Sequence, residues 1–356
     1  MTLASPNTRT AQACAAPPAE PAPAAGRRWR RRGSLALRLA VSAALLLALL
    51  SQVELGRVAA VVSGAHAGLL VLLLAMFLAE RCLGAYRWHL LLRTQAIKVS
   101  FATTLRATFL GGFVGTFLPG GVGVEAVRVA AMTRATDLAS ATSSVLVDRI
   151  LGSAALLGIV LLALAVTPQP VPGAVAVAAW AAMALLVAGS AMLAHPRLRD
   201  GLTRLVPGRR LAEVRREVRH FATAMGAMRR RPMTLLHVGG LSILFQVLRV
   251  SIAPVAAVAL GLELPLTLLL IYVPIIMFIM MLPISLGGLG VREAAYVYFF
   301  GYEHITPEQA IALSLVIGLF TLIVQLPGAV VCLTGVRPRR SHVSPPPPQP
   351  TPQEPG

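Results

Sequence analysis

The sequence predicts an all-α, polytopic integral membrane protein. Of its 356 residues, 56% are apolar and only 13% are charged, and the mean hydropathy is +0.74. A soluble domain does not carry that balance. Apolar runs of about 20 residues, the length that crosses a hydrocarbon core as a helix, recur along the chain. Because the backbone of a spanning segment must satisfy its own hydrogen bonds in lipid, we expect these runs to be helical.

The apolar segments are of two kinds. Six are uninterrupted and are predicted to cross the membrane fully: Leu35–Val53, Ala67–Arg87, Ser140–Val166, Pro172–Ala194, Met233–Leu260 and Pro307–Val336. Two others, Phe101–Thr136 and Pro265–Gly301, are broken in the middle by Pro and a cluster of Gly. Pro removes a backbone donor and Gly permits positive φ, so the helix should stop and restart there. We expect these two segments to be re-entrant elements.

The basic residues predict the orientation of the chain. They cluster outside the uninterrupted runs, at residues 27–32, 93–106, 197–231 and 337–340. Loops around Gln169, Glu263 and Glu303 are neutral or acidic. The positive-inside rule then predicts a multi-pass protein of the cytoplasmic (plasma) membrane with both termini in the cytoplasm. Orientation and attraction to anionic lipid headgroups explain the net charge of +18. We expect no nucleic-acid partner, because no nucleic-acid-binding motif accompanies the charge.

One membrane domain is predicted between two disordered tails. Its parts are a basic tail at 1–33, a transmembrane domain at 34–336 with halves 34–194 and 233–336 joined by an Arg-rich cytoplasmic segment at 195–232, and a Pro-rich tail at 337–356. Within the joining segment, Arg210–Met228 alternates Arg with apolar residues. This pattern predicts an amphipathic helix, which either lies on the membrane surface or is a solvated linker.

The two halves resemble each other at their broken segments. Leu118–Ala126 reads LPGGVGVEA, and Leu282–Ala294 reads LP, three residues, then GGLGVREA. The same turn chemistry at matching places indicates an internal repeat. With six full crossings and two insertions, the first insertion opens from the cytoplasm and the second from outside. That arrangement is typical of inverted-repeat transporters, whose substrate site lies between the repeats.

Helix starts and buried charges indicate what the site would bind. We expect new helices to begin after Gly123 and Gly290, with unpaired N–H groups and positive dipole ends that favour an anion. Ionisable residues inside the membrane need a functional or structural reason to be there, and Glu80, Arg81 and Arg249 are further candidates. The predicted substrate-binding residues are Gly120, Gly121, Gly123, Glu125, Arg128, Asp148, Arg149, Gly287, Gly288, Gly290, Arg292 and Glu293. Among these, Arg128, Arg149 and Arg292 are predicted phosphate contacts, because a guanidinium fork suits phosphate. Structural ion pairing is the alternative for each charge.

Three motifs carry a resemblance to a known family. They are LPGGVGVEAVR at Leu118–Arg128, SVLVDRILG at Ser144–Gly152 and MLPISLGGLGVREAA at Met281–Ala295, and the pair Arg87-Trp88 also fits. The chain resembles the transmembrane region of lysylphosphatidylglycerol synthases and their stand-alone flippase-like relatives. The resemblance implies a membrane protein related to lipid flippases. In the bifunctional synthases a soluble aminoacyl-transfer domain follows this region, and we expect it to be absent here, so synthase activity is not implied.

No catalytic motif points to an enzyme. The HExxH, GxSxG, Walker and Rossmann fingerprints are missing, and the scattered His and Cys residues predict neither a metal site nor a cofactor. The sequence therefore predicts a protein that binds and moves an anionic phospholipid or polyprenyl-phosphate-linked lipid. A non-transporting accessory or binding protein is the first alternative, and a lipid-phosphate transferase the second. Membrane lipids are the expected partners, with either a second copy or a membrane enzyme as a protein partner.

Overall fold

The structure is a computed structural model that describes residues 55–95, 97–118, 120–133, 135–167, 173–194, 232–281, 288–301 and 305–334. Every regular element in these ranges is an α-helix. The helices are α1 (Leu55–Ser63), α2 (Ala67–Thr94), α3 (Phe101–Thr116), α4 (Gly120–Met132), α5 (Leu138–Val166), α6 (Gly173–Ala194), α7 (Pro232–Ala259), α8 (Leu266–Met281), α9 (Val291–Gly301), α10 (Pro307–Gln325) and α11 (Pro327–Thr334). The predicted all-α class is confirmed.

Helix lengths agree with a chain that crosses the membrane several times. Within the described ranges, four helical stretches are long and apolar enough to span a bilayer: α2, α5, Leu236–Ala259 of α7, and α10 together with α11. Helices α6 and α8 contain shorter apolar stretches, Ala176–Gly189 and Leu266–Met280. The predicted first crossing, Leu35–Val53, and the predicted amphipathic helix at Arg210–Met228 lie outside the described residues.

The helices form two repeats of the same design. In the first, α2, α3, α4 and α5 have 28, 16, 13 and 29 residues. In the second, α7, α8 and α9 have 28, 16 and 11 residues, and the span formed by α10 and α11 has 28. Each repeat is thus a long helix, a helix broken into two parts, and a second long helix.

The two repeats run in opposite directions. The His66 N–H, just before α2, donates to the Ala259 carbonyl at the end of α7, at 2.9 Å. Further along, Gly84 of α2 lies against the ring of Phe245 of α7. Helix α2 therefore begins where α7 ends, and these equivalent helices are antiparallel. The packing is reciprocal as well, since α8 packs on α5 and α3 packs on α10 and α11. This is the inverted repeat that the sequence predicts.

The first broken segment is a hairpin. Gly111 of α3 lies against Arg128 of α4, and Gly115 lies against Val124, so the two helices are antiparallel. In the second broken segment, α9 folds onto the middle of α10, where Arg292 touches Ser314 and Gly318. Gly288 also lies against Met280, and Phe300 contacts Tyr272, so α9 runs back along α8. Both segments therefore turn back inside the bundle, as expected of re-entrant elements.

One predicted helix boundary is wrong. In the second repeat the glycines do form the break, because Gly288 and Gly290 have φ of 80° and 79° and α9 starts at Val291. In the first repeat α4 already starts at Gly120, so the glycines through Gly123 are its first turn rather than a break before it. There the missing Cβ atoms serve close packing, since a Cβ on Gly123 would collide with Leu118.

Side-chain caps fix several helix ends. Ser100 accepts the Thr103 N–H at the start of α3, and Asp137 accepts the Ser140 N–H at the start of α5. Thr306 forms a capping box with Gln309 before α10. These contacts satisfy backbone donors that lack partners inside the helix, so the sequence locally encodes where the long helices begin.

Two apolar clusters lie at opposite ends of the repeat pair. The larger cluster includes Leu73, Ile252 and Phe300, near the start of α2 and the end of α7. The smaller cluster includes Trp88 and Val238, near the end of α2 and the start of α7. Glu80 and Arg87 of α2 and Gln246 and Arg249 of α7 lie between the two clusters along each helix. Charged side chains of both helices therefore meet at mid-height in the bundle.

Candidate functional site

A cavity of about 340 Å³ occupies the level between the two apolar clusters. Both repeats line it, with residues from α2, α3, α4 and α5 of the first and from α7, α8, α9 and α10 of the second. Both broken segments contribute, through Glu125 and Arg128 on α4 and through Gly288 and Arg292 beside α9. The volume is at the lower end of the range for small-molecule sites, so it suits a headgroup rather than a whole lipid.

The charged lining is dominated by arginine. Six arginines line the cavity, Arg81, Arg87, Arg128, Arg149, Arg249 and Arg292. Three carboxylates accompany them, Glu80, Glu125 and Asp148. We call this space the arginine cavity. Its described lining has an excess of positive charge, which favours an anionic ligand.

A chain of ion pairs crosses the first repeat. Arg87 Nε donates to Asp148 Oδ1 at 2.7 Å, and Arg128 Nη2 donates to Asp148 Oδ2 at 3.3 Å. Arg128 Nη1 also donates to Glu125 Oε2 at 3.0 Å, and Arg149 Nη1 lies 3.5 Å from Glu125 Oε1. Each carboxylate thus joins two arginines from different helices or turns. Asp148 is only 5% exposed, so it is the fixed centre of the chain.

Aromatic rings position two of these guanidinium groups. Arg87 lies over the Phe245 ring with its Cζ 4.5 Å from the centroid, and Arg128 lies over Trp88 at 4.1 Å. Trp88 is itself fixed, because its Nε1–H donates to Ser144 Oγ at 3.2 Å. Such cation–π contacts favour a guanidinium that lies flat on the ring. Its edge is then free to donate to other groups.

The wall formed by α2 and α7 holds the least balanced charges. Glu80 pairs with Arg81 at 3.3 Å and, more loosely, with Arg249 at 3.9 Å. Arg249 also interacts electrostatically with Arg87 and Arg149. Close by, the Gln246 Nε2 donates to the Gly152 carbonyl at 2.7 Å, which joins α7 to α5. Two arginines therefore share one carboxylate at this wall.

The second Gly-rich turn is held by a satisfied network. Glu293 Oε2 accepts the Gly290 N–H at 2.7 Å, while Oε1 accepts from Arg292 Nη2 at 2.6 Å. Ser314 of α10 joins both side chains, at 3.0 Å from Arg292 Nε and 3.2 Å from Glu293 Oε1. Arg292 also lies against Gly318, where a Cβ would collide with the guanidinium. Glu293 is 2% exposed, so this network mainly holds the turn.

Comparison with known protein families identifies the membrane domain. The family model described as the lysylphosphatidylglycerol synthase TM region matches residues 35–328, which is most of the chain. The chain belongs to this family. A search of curated proteins found no significant match. As a member of the lysylphosphatidylglycerol synthase TM-region family with several apolar helices, the protein is a multi-pass membrane protein related to lipid metabolism, and the arginine cavity lies inside the matched region.

The arginine cavity brings together half of the predicted site residues of this family member. Those that line it are Glu125, Arg128, Asp148, Arg149, Gly288 and Arg292. Gly290 and Glu293 lie behind the second turn, and Gly120, Gly121 and Gly123 lie in the first turn of α4. Gly287 is outside the described residues. A substrate-binding role for all twelve stays a prediction.

Sequence reasoning missed part of the cavity. The sequence predicts no site role for Arg87, which enters only through the family-like pair Arg87-Trp88. Nothing in the sequence analysis identifies Phe245 or Gln246. Glu80, Arg81 and Arg249 were recognised as membrane charges but not assigned to the site. The charged residues of the cavity could have been found by treating every ionisable residue deep inside an apolar helix as a site candidate. In the parts of the chain that the structure describes, no cluster of three or more His, Cys, Asp or Glu is placed to hold a metal ion.

Proposed function

We propose that the protein binds the charged headgroup of an anionic lipid in the arginine cavity and moves it across the cytoplasmic membrane. The lipid class is an anionic phospholipid or a polyprenyl-phosphate-linked lipid. The observation that carries the proposal is the excess of arginine over carboxylate in a cavity between two inverted repeats. Membership in a family of lipid metabolism supports a lipid as the ligand.

The excess charge argues for an anion because a buried charge without a partner is strongly unfavourable in a membrane. Arg87 is 5% exposed, and its Nη1 has no hydrogen-bond partner. Nε of Arg128 is also buried and has no hydrogen-bond partner. A phosphate oxygen would satisfy such donors, and arginine binds phosphate in a planar, bidentate way. The arrangement is thus complete only when an anion enters.

The inverted repeat argues for translocation rather than simple binding. In transporters of this design, the substrate site lies near the membrane midplane, and the two repeats open it to opposite sides in turn. Here the cavity lies between two apolar clusters, and a re-entrant segment reaches it from each repeat. Movement of α4 or α9 would open one side at a time. Transport is downhill or coupled to an ion or the membrane potential.

We propose no chemical step for the cavity. Its three lining carboxylates are each held by arginines, so none is a free general base. An enzyme acting on a lipid phosphate would need a base and a nucleophile at one place. We further propose that the basic loop 195–232 and both termini face the cytoplasm, following the positive-inside rule.

The test is lipid scrambling in proteoliposomes. Headgroup-accessible fluorescent phospholipids and prenyl phosphates are followed by quenching, and wild type is compared with the double variant Arg149→Gln/Arg249→Gln at equal folded incorporation. These two side chains are 28% and 36% exposed, so their loss should spare the fold. Arg106→Gln, at an exposed position of α3, is the matched control.

Two results decide the proposal. Acceleration by wild type and by Arg106→Gln, with loss in the double variant, supports a lipid transporter that works through the arginine cavity. If no anionic lipid moves faster than in empty liposomes, the transport proposal fails. A protein that still binds these lipids would then be a non-transporting accessory protein.

A further inference from the structure

The arginines of the arginine cavity outnumber its carboxylates, and the excess positive charge can be counted. Arg292 is matched by Glu293 directly behind it. Five lining arginines then face Glu80, Glu125 and Asp148, so two positive charges are left without a carboxylate among the described residues. A ligand with two negative charges would neutralise these two charges, and a ligand with one would leave one cation without a counterion.

Arg87 and Gln246 meet at one wall of the cavity, beside Gly152. Arg87 comes within 3.5 Å of where a Gly152 Cβ would be, and Gln246 within 3.4 Å, so both side chains lie at van der Waals distance from this position of α5. Arg87 and Arg249 both lie over the Phe245 ring, at 4.5 Å and 6.0 Å from its centroid. Two cations therefore lie against one aromatic ring.

Two polar atoms on this wall have no hydrogen-bond partner. Arg87 Nη1 and Gln246 Oε1 are buried and have no partner. Among the described residues, the carboxylate contacts of the neighbouring arginines are long, at 3.5 Å for Arg149 to Glu125 and 3.9 Å for Arg249 to Glu80. Arg292, by contrast, has a tight partner, since it lies 2.6 Å from Glu293. Guanidinium donors and positive charge thus converge at one place where the carboxylate contacts of Arg149 and Arg249 are long.

We infer that Arg87, Arg149 and Arg249 form a subsite for a phosphate group with two negative charges, so that the preferred lipid is a phosphomonoester or a diphosphate rather than a phosphodiester. The inference rests on the proposed function and narrows its substrate class. A phosphodiester headgroup carries one negative charge, whereas a monoester carries nearly two at pH 7. Each guanidinium can donate two bonds to one phosphate.

The inference predicts a pH dependence that comes from the ligand. The second pKa of a phosphomonoester is about 6. The groups facing the subsite are arginines of α2, α4, α5 and α7 together with Glu80, Glu125 and Asp148, and no described histidine or lysine lines the cavity. Arginines stay charged throughout. Binding of a monoester should therefore weaken as the pH falls through 6, while binding of a diester should not follow that titration.

The experiment measures binding to the full chain in nanodiscs of zwitterionic lipid. The probes are farnesyl phosphate, farnesyl diphosphate, dihexanoyl phosphatidylglycerol and inorganic phosphate. We expect the first two to bind at least about tenfold more tightly than the diester at pH 7.5, and farnesyl phosphate to lose up to about tenfold at pH 5 as it changes from dianion to monoanion. Inorganic phosphate should bind much more weakly than farnesyl phosphate, because it lacks the apolar chain.

Single variants locate the subsite. Arg149→Gln and Arg249→Gln should each weaken farnesyl phosphate about tenfold and bring its affinity close to that of the diester, since each removes one charge-assisted contact. Arg106→Gln should leave the preference unchanged. Arg87→Gln is less suitable because it also removes the 2.7 Å bond to Asp148.

Three results would overturn the inference: equal affinity for monoester and diester, monoester binding that does not change between pH 7.5 and 5, or inorganic phosphate binding as tightly as farnesyl phosphate. The first two leave the proposed function standing if phosphodiester lipids are scrambled in proteoliposomes. A preference for the dianion without any scrambling would support the subsite and contradict transport.

Discussion

The two Gly-rich motifs have nearly the same letters and different structures. In the first repeat, Gly120–Gly123 begins helix α4, and the next acidic residue, Glu125, points into the arginine cavity. In the second, Gly288 and Gly290 form a turn with positive φ, and the acidic residue Glu293 bonds back to that turn. One carboxylate therefore serves the cavity and the other serves the fold.

The difference has a local cause. In the first repeat the glycines of α3 let α4 approach so closely that a Cβ on Gly115 would collide with Val124, and α4 is packed from its first turn. In the second repeat, Arg292 lies between the turn and α10, where Glu293 and Ser314 hold it. A pair of equivalent motifs has thus diverged into a tight hairpin that carries site residues and an anchored turn that supports them.

Glu293→Ala should have the largest effect, because it leaves Arg292 buried and unpaired and removes the acceptor for the Gly290 N–H. Breaking a buried pair in this way costs about 3–5 kcal/mol. The expected result is a large drop in the temperature at which the detergent-solubilised protein loses monodispersity. Glu263→Ala, at an exposed loop position, is the control and should change nothing. Equal stability of the two variants would refute the anchoring role.

Gly115→Ala tests the tight hairpin of the first repeat. The added Cβ would lie within 2.7 Å of the Val124 Cα, a backbone atom that cannot move alone. Overpacking of this kind costs about 1–3 kcal/mol, so the melting temperature should fall. Gly158→Ala, in α5 with open space around the new Cβ, should be neutral or slightly stabilising. Matching melting temperatures for the two variants would show that α3 and α4 are less closely packed than described.

Gly288→Ala tests the positive φ of the second turn. A φ of 80° strains an L side chain by about 1–2 kcal/mol, and the Cβ would also approach the end of the Met280 side chain within 2.5 Å. Gly288→Asn should suffer less backbone strain than Gly288→Ala, because Asn adopts a positive φ more readily. Gly301→Ala, with nothing near the new atom, is the control. The measurement is again the melting temperature, and a harmless Gly288→Ala would contradict the turn geometry.

The fold was largely predictable because hydropathy reports membrane helices directly. The break at Gly288–Gly290 followed from the permissive backbone of glycine, whereas the start of α4 at Gly120 did not, since it depends on how closely α3 approaches. Hydropathy and motif spacing cannot report that distance.

The site was predictable only in part. Glu125, Arg128, Asp148 and Arg149 were found because they are charges beside a recognisable motif. Arg87 is a site residue through contacts with residues far away in sequence, Asp148 on α5 and Phe245 on α7. Which residues meet across two equivalent helices depends on their crossing, and the local pattern does not encode it.

Glu125→Gln is the smallest and most selective test of the comparison. The side chain of Glu125 is 23% exposed and pairs with Arg128 and Arg149. Its carboxylate thus occupies the donors that a phosphate would use. A partly exposed pair is worth up to about 1 kcal/mol, so stability should change little. Anionic-lipid binding should instead improve about two- to fivefold, because the ligand no longer competes with a carboxylate for the same donors. Binding is measured in nanodiscs with Glu263→Gln as the control. Weaker binding would show that Glu125 contacts a cationic part of the headgroup, and the two carboxylates would then differ in partner as well as in place.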